Sequence, residues 1–426
     1  MAATGTGHRD RLLDGDEIGS ICDRALDDPS FDGRRLLVLV PDLTRSCPLD
    51  AMFRHLYRRL APRVARLDFM IALGTHPALS QDQIYSRFGI DGASHEADFP
   101  LARFFNHCWD DPAGLAQIGL LQKSEIAELT DGRFEINVEV TVNRMVYDYD
   151  LMLILGPVFP HEVVGFSGGN KYIFPGISGP DVLHFFHWLG AVITSPCVIG
   201  KKATAVRRVI DAAAARIPIE RRAFCMVVRD RQLAGLYYGT PEEAWSDAAD
   251  LSGALHVVTT DRAYDTVLSC APAMYDEVWV AGKCMYKLEP TVADGGRLVI
   301  YAPHLSEVST AHGKWIREVG YHTRDYFLGQ WEQFRDTPWS ILAHSSHVRG
   351  IGSFEGGEER CRIEVILATQ IPESECRSLN LGYMDPRSID PAAYRGREGE
   401  GVLCVDRAGE ILYRWKDAPP ELGGPA

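Results

Sequence analysis

With 426 residues, 46% of them hydrophobic and 24% charged, the chain has an ordinary globular composition; this excludes a disordered, collagenous or low-complexity protein and makes two domains the natural expectation. Its 44 Lys and Arg against 58 Asp and Glu leave a formal charge of −14, which argues against a nucleic-acid binder, since phosphate contacts need a basic face. No apolar run approaches the roughly 18 residues of a membrane span, Met1 to Asp16 lacks a secretory pattern, and ten cysteines lie scattered without a C-x-x-C pair, so reduced thiols in a cytoplasmic protein are expected.

In chain order, apolar β-branched runs alternate with amphipathic stretches, the pattern of an α/β fold with mainly parallel sheets flanked by helices. Leu36 to Val40 reads as a buried strand, and Pro48 to Val64 as a helix with Met52, Leu56 and Leu60 at four-residue intervals. Arg66 to Leu73 is a second strand, Gln81 to Phe88 a helix, and Asp150 to Leu155 a third strand before a long loop. A helix is expected after Pro180-Asp181, and strands at Phe224 to Val228 and Ala254 to Thr259 flank a helix near Pro241 to Leu251. Beyond Ser269, strands are expected at Asp276 to Ala281, Arg297 to Tyr301, Arg362 to Leu367 and Gly401 to Val405, with a helix near Pro290 to Ala293 and a frayed Pro/Gly-rich tail from Asp417. The expected domains are 1–266 and 267–426.

Polar loops behind strand ends are where such folds place chemistry. Asp42, Thr44 and Arg45 offer a carboxylate, a hydroxyl and a guanidinium before a helix, suited to gripping an anion or, more plainly, to capping. Gly74-Thr75-His76 sets an imidazole behind a tight turn, placed for acid/base work or for a cap. His161 opens the richest loop, running through Gly165, Ser167, Gly168, Gly169 and Lys171 to Phe174-Pro175-Gly176; its glycines and lysine suggest a phosphate nest. Asn170 and Tyr172 stand where a nucleoside-triphosphate-binding loop would carry Gly and Ser or Thr, which disfavours a kinase. His184 and His187 share one helix face without a third ligand nearby, so a cofactor supplying the remaining ligands suits them better than a protein-only zinc site. Lys283, after Asp276 to Ala281, could neutralise a bound carboxylate; spacing does not say which of His304, His312, His322, His344 and His347 face a site.

Taken in order, D-x-T-R, G-T-H, H-x-x-x-G-x-S-G-G-x-K with F-P-G behind it, and the later helical histidine resemble the nickel-dependent lactate racemase family of 2-hydroxyacid racemases and epimerases. The resemblance covers residues 35 to 300 and implies a two-domain α/β enzyme with its active site in the cleft between the domains. It implies a nickel-pincer nucleotide joined to Lys171, with His187 as nickel ligand, His76 and His161 as paired acid/bases, and Asp42, Thr44 and Arg45 beside cofactor and substrate. Ser167, Gly168 and Gly169 fall where the nucleotide phosphate would be cradled; Lys283, twelve residues before Gly295-Gly296, matches the substrate-binding lysine, and Glu289 falls in step. Cofactor-synthesis proteins are the implied partners and a 2-hydroxy acid the implied substrate. A Tyr-Gln loop of the lactate racemase type is missing before Lys283, which points to a substrate other than lactate. A non-catalytic nucleotide- or phosphate-binding module, or cofactor carrier, on the same fold is the alternative.

Overall fold

The structure is a computed structural model and describes residues 3–424. Two compact units emerge: the first comprises residues 1–159, 167–183 and 207–255, the second 160–166, 184–206 and 256–426. The main division therefore falls at 255/256 instead of 266/267. Two excursions, carrying His161 and His187, belong to the second unit although they lie early in the chain.

In the first unit, strands β1 (Thr4–Gly7), β2 (Arg35–Val40), β3 (Arg66–Ile71), β4 (Ala102–Asn106), β5 (Leu151–Pro157), β6 (Glu220–Arg229) and β7 (Gln232–Gly239) form one sheet in the order β1-β7-β6-β5-β2-β3-β4. The pairs from β6 to β4 are parallel, and β7 is antiparallel to both its neighbours. Leu36 to Val40 and Leu151 to Leu155 are almost fully buried, as strands covered on both faces must be. Helix α1 (Gly15–Leu26) and helix α2 (Leu49–Leu60) pack on this sheet, and Phe53 of α2 meets Phe69 and Phe88 edge-to-face, with Phe104 tilted against Phe88. From β2 the chain steps outward through β3 to β4, then returns to lay β5 on the other side of β2. The switch point between β2 and β5 opens a crevice at their C-terminal ends, where open α/β sheets bind ligands.

The second unit has an all-parallel sheet of β8 (Tyr264–Cys270), β9 (Val292–Ala302), β10 (Glu364–Thr369), β11 (Gly382–Tyr383) and β12 (Val402–Val405), in the order β11-β10-β9-β8-β12. Three sequence expectations need correction here. Asp276 to Ala281 is not a strand: Val278–Ala281 is a helical turn, and Gly282 N–H closes onto the Val278 carbonyl, so the apolar run buries against the sheet instead of joining it. The helix near Pro290 is a single tight turn, Glu289–Thr291, and β9 begins at Val292. The tail is anchored, since Ala418 and Leu422 are buried and Cys197 Sγ donates to the Pro420 carbonyl at 3.4 Å. Short apolar runs without a long period do not distinguish strand from buried helix. Likewise, helix Pro241–His256 runs through the first half of the strand expected from Ala254.

Candidate functional site

In the first unit the loops after β2, β3 and β5 converge. Asp42, 6% exposed, accepts from both the N–H and the hydroxyl of Thr44 (3.0 and 2.8 Å) through Oδ1, a turn that leaves Oδ2 to bond the Nδ1 atom of His76. Burial alone would raise the Asp42 carboxyl, but the charge and hydrogen bond of His76, with Arg45 and Thr44, outweigh it and hold this carboxylate well below its usual range. A fixed anion on Nδ1 directs the proton there and turns Nε2 of His76 outward as the basic atom. Arg87, on helix α3 (Gln81–Phe88), holds the loop from behind: its guanidinium donates to the Pro41 and Arg45 carbonyls at 3.2 and 3.1 Å.

The loop after β3 is tied to the third motif. Gly74 N–H donates to the Gly176 carbonyl at 3.1 Å, and Gly74 adopts a φ of 56°, which lets the chain turn beside Pro175. Lys171 sits half-buried on a tight turn, Gly169–Tyr172, whose register is set by Asn170. The Asn170 amide donates to Asp211 (2.9 Å) and Glu242 (2.7 Å), and its carbonyl accepts from Arg221 (2.7 Å). The polar atoms of Ser167 and Gly169 depart from the phosphate nest expected of Ser167, Gly168 and Gly169. Ser167 N–H donates to the Phe159 carbonyl, its hydroxyl takes the Phe159 N–H, and its carbonyl accepts from Trp245 Nε1; Gly169 N–H turns to the Cys225 thiol. A Cβ on Gly168 or Gly169 would press on Val158 or Trp245, at 2.6 and 2.9 Å, so these glycines serve close packing.

In the second unit His161 lies in a two-residue hairpin, Pro160–His161 against Gly165–Phe166, and is 6% exposed. Its Nδ1 stands 3.2 Å from Glu162 Oε2 and 3.2 Å from the N–H of Val163. Helix α4 (Pro180–Ile193) carries His184 and His187 within its second-unit part. His184 bonds the Ser340 hydroxyl at 3.0 Å, and burial lowers its imidazole to about 4, a neutral structural group. His187 stacks on Phe186 with ring centroids 4.3 Å apart. Among the described residues, the three ligating side chains gathered closely enough for a metal are Cys270, Cys404 and Asp406, so His187 belongs to no protein-only set. That triad is ill-prepared for a metal, because burial pushes the Cys270 thiol up to about 12 and Arg395 grips Asp406 at 2.8 and 3.0 Å.

Lys283 is 7% exposed, on a helical turn one turn after Trp279, with its ammonium 4.8 Å over the Tyr275 ring. Trp279 stacks on His344 (4.0 Å) and meets His312 at a tilt (4.3 Å); burial drives His344 well below its ordinary value and His347 down to about 4. His322 pairs with Glu359 at 2.7 Å and His304 with the Tyr275 carbonyl at 2.9 Å, both fold contacts.

Residues 20–196 match the model of the lactate racemase N-terminal domain. The lactate racemase of Lactiplantibacillus plantarum is 26% identical over 164 residues, 38% of this chain and 34% of that one. That of Thermoanaerobacterium thermosaccharolyticum is 21% identical over 304 residues, 69% and 66% respectively. Residues 20–196 of the chain thus carry a lactate racemase N-terminal domain. Less than two thirds of either curated racemase is spanned by the match. A crystal structure of a Thermotoga maritima protein superposes with a TM-score of 0.88 at 31% identity, covering 96% of this chain and 100% of the other. The lactate racemase apoprotein of T. thermosaccharolyticum shares the fold at a TM-score of 0.69 and 16% identity, over 93% and 92% of the two chains. The matched domain includes Asp42, Arg45, His76, His161, Lys171 and His187, whereas Lys283 lies outside it.

Sequence reasoning missed Arg87, the anchoring role of Asn170, and Glu162. The first two act through partners 41 to 72 residues away, which no local pattern reveals. Glu162 was visible only as the residue after His161.

Proposed function

We propose that this protein, which carries a lactate racemase N-terminal domain, is a racemase or epimerase of a 2-hydroxy acid, an isomerase with His76 and His161 as the acid/base pair. The observation that carries the reading is the Asp42–His76 pair, with Arg45 acting on the same carboxylate, at the switch point of a sheet within the family's own domain. Inverting a carbon that bears OH and COO⁻ by removing its proton would place a carbanion beside an ionised carboxylate; moving a hydride avoids this. When bound, a nickel-pincer nucleotide supplies the hydride acceptor. The protein fits such a group on two counts: Lys171 offers an amine on a rigid turn, and His187 offers an imidazole that, among the described residues, is part of no cluster of three metal-ligating side chains.

The chain's own work is proton transfer and orientation. Nε2 of His76 would take the hydroxyl proton from one enantiomer and His161 would supply a proton to the hydroxyl of the other, the two exchanging roles in the reverse direction and resetting through solvent. Arg45 and Lys283 hold the carboxylate, Arg45 bidentately and Lys283 as a point charge. The absent Tyr-Gln loop favours a 2-hydroxy acid other than lactate. Protein made with cofactor-synthesis proteins is expected to show added mass on Lys171 and bound nickel, to erode the optical purity of a 2-hydroxy acid from a panel, and to lose this activity as H76A or H161A. A bare-chain mass without nickel, after such co-production, refutes the reading. Ligand binding that survives both histidine variants, with no loss of optical purity in any panel member, would favour the non-catalytic module.

A further inference from the structure

The two imidazoles assigned to acid/base work share a feature at the same ring atom: each has a carboxylate at Nδ1, Asp42 for His76 and Glu162 for His161. They differ in what else reaches that atom. At His161 the Val163 N–H points to Nδ1 at 3.2 Å while Glu162 Oε2 stands at the same distance. A backbone N–H can only donate and a carboxylate can only accept, so the two neighbours make opposite demands. Val163 asks for a bare Nδ1, which moves the proton to Nε2. Glu162 asks for Nδ1–H, which leaves Nε2 with its lone pair.

We propose that Glu162 is a positioning residue that selects the Nδ1–H tautomer of His161 and so makes Nε2 its basic atom; this rests on the reading of His161 as an acid/base. Glu162 is well placed to win. Its side chain is only 15% exposed and that of His161 7%, so the interaction of carboxylate and imidazole is poorly screened. The hairpin that presents them is stiff: Gly200 N–H donates to the Gly165 carbonyl at 2.8 Å, and a Cβ on Gly165 would collide with the Lys201 carbonyl at 1.9 Å. His347 also interacts with Glu162, but burial keeps its imidazole neutral near pH 7, so it does not draw the carboxylate away with a charge of its own. When His161 takes up a proton, both ring nitrogens donate and Nδ1–H again turns to Glu162; the carboxylate thus stabilises both protonation states that acid/base turnover requires.

The test uses the full chain without cofactor, labelled with ¹⁵N-histidine, with His161 assigned from H161Q. The native protein is expected to show Nδ1 protonated and Nε2 unprotonated, E162A the reverse, and E162D a return toward the native pattern. In the loaded enzyme E162A should lower kcat by about 100-fold with little change in KM. A native His161 already protonated on Nε2, or an E162A spectrum unchanged from native, overturns the proposal even if the enzyme racemises. A tautomer shift as described, in a protein that takes up the cofactor yet racemises no 2-hydroxy acid, supports the placement of Glu162 and refutes the functional reading instead.

Discussion

Asn170 is the anchor of the lysine-bearing turn, and its replacement separates charge from packing. The side chain is 1% exposed and makes three bonds to charged partners, Asp211, Glu242 and Arg221, all within the first unit. Hydrogen bonds to charged groups contribute about 1.5–3 kcal/mol each; water recovers part of this at Glu242, which is 43% exposed, so Asn170→Ala should cost about 3 kcal/mol. Asn170→Asp keeps the size and the acceptor for Arg221 but replaces two donors by a third carboxylate. Like charges near 4 Å repel by about 4 kcal/mol at an effective dielectric of 20, an amount the nearby arginines reduce without removing. N170D should therefore lie about 2 kcal/mol or more below N170A at pH 8, a large share of the roughly 5–15 kcal/mol that hold a domain. Burial raises the Asp211 carboxyl above its ordinary value, against the pull of Arg207 and the Asn170 amide. A raised carboxyl contributes stability that is complete below its ordinary value near 4 and is lost as pH climbs through the higher folded value. The repulsion in N170D should accordingly be weaker at pH 5 than at pH 8, because a raised carboxyl begins to take up its proton at a higher pH than an ordinary one, and the gap between the two variants should narrow. Urea unfolding followed by tryptophan fluorescence at both pH values measures this. If N170D matches N170A at pH 8, or the gap does not change at pH 5, the carboxylate cluster does not govern this turn.

Asp42→Asn should leave the fold intact by circular dichroism but cut kcat of the loaded enzyme by about 10²–10⁴-fold, because an amide no longer enforces Nδ1–H on His76; unchanged kcat would remove His76 from acid/base work. His107 is buried, accepts from Asn143 at Nδ1 and donates to the Ser178 carbonyl from Nε2, and burial lowers it to about 4. A depressed imidazole contributes stability that is complete above its ordinary value near 6.5 and is lost as pH falls through about 4, here ~3 kcal/mol in all, so H107Q should flatten the acid limb of a urea-midpoint profile. Lys283→Met replaces a buried ammonium over Tyr275 by an apolar chain of similar length; Tm should hold or rise while KM for a 2-hydroxy acid increases, and an unchanged KM would detach Lys283 from the substrate carboxylate.

The sequence by itself determined the alternation of strands and helices in the first unit, because Leu36 to Val40, Leu67 to Ile71 and Leu151 to Leu155 are buried on both faces and can be little else. It also placed Asp42, His76 and Lys171 in loops behind such strands, the positions where open α/β sheets gather polar side chains. Only tertiary structure decided that Asp42 and His76 are partners: they are 34 residues apart, and nothing but the parallel pairing of β2 with β3 brings their loops together. The same holds for the excursions of His161 and His187 into the second unit, for the helical turn under Lys283, and for the internal bonds of Ser167 and Gly169. A local pattern fixes backbone conformation where burial leaves one choice, whereas the partner of a polar atom depends on which distant segment arrives to satisfy it.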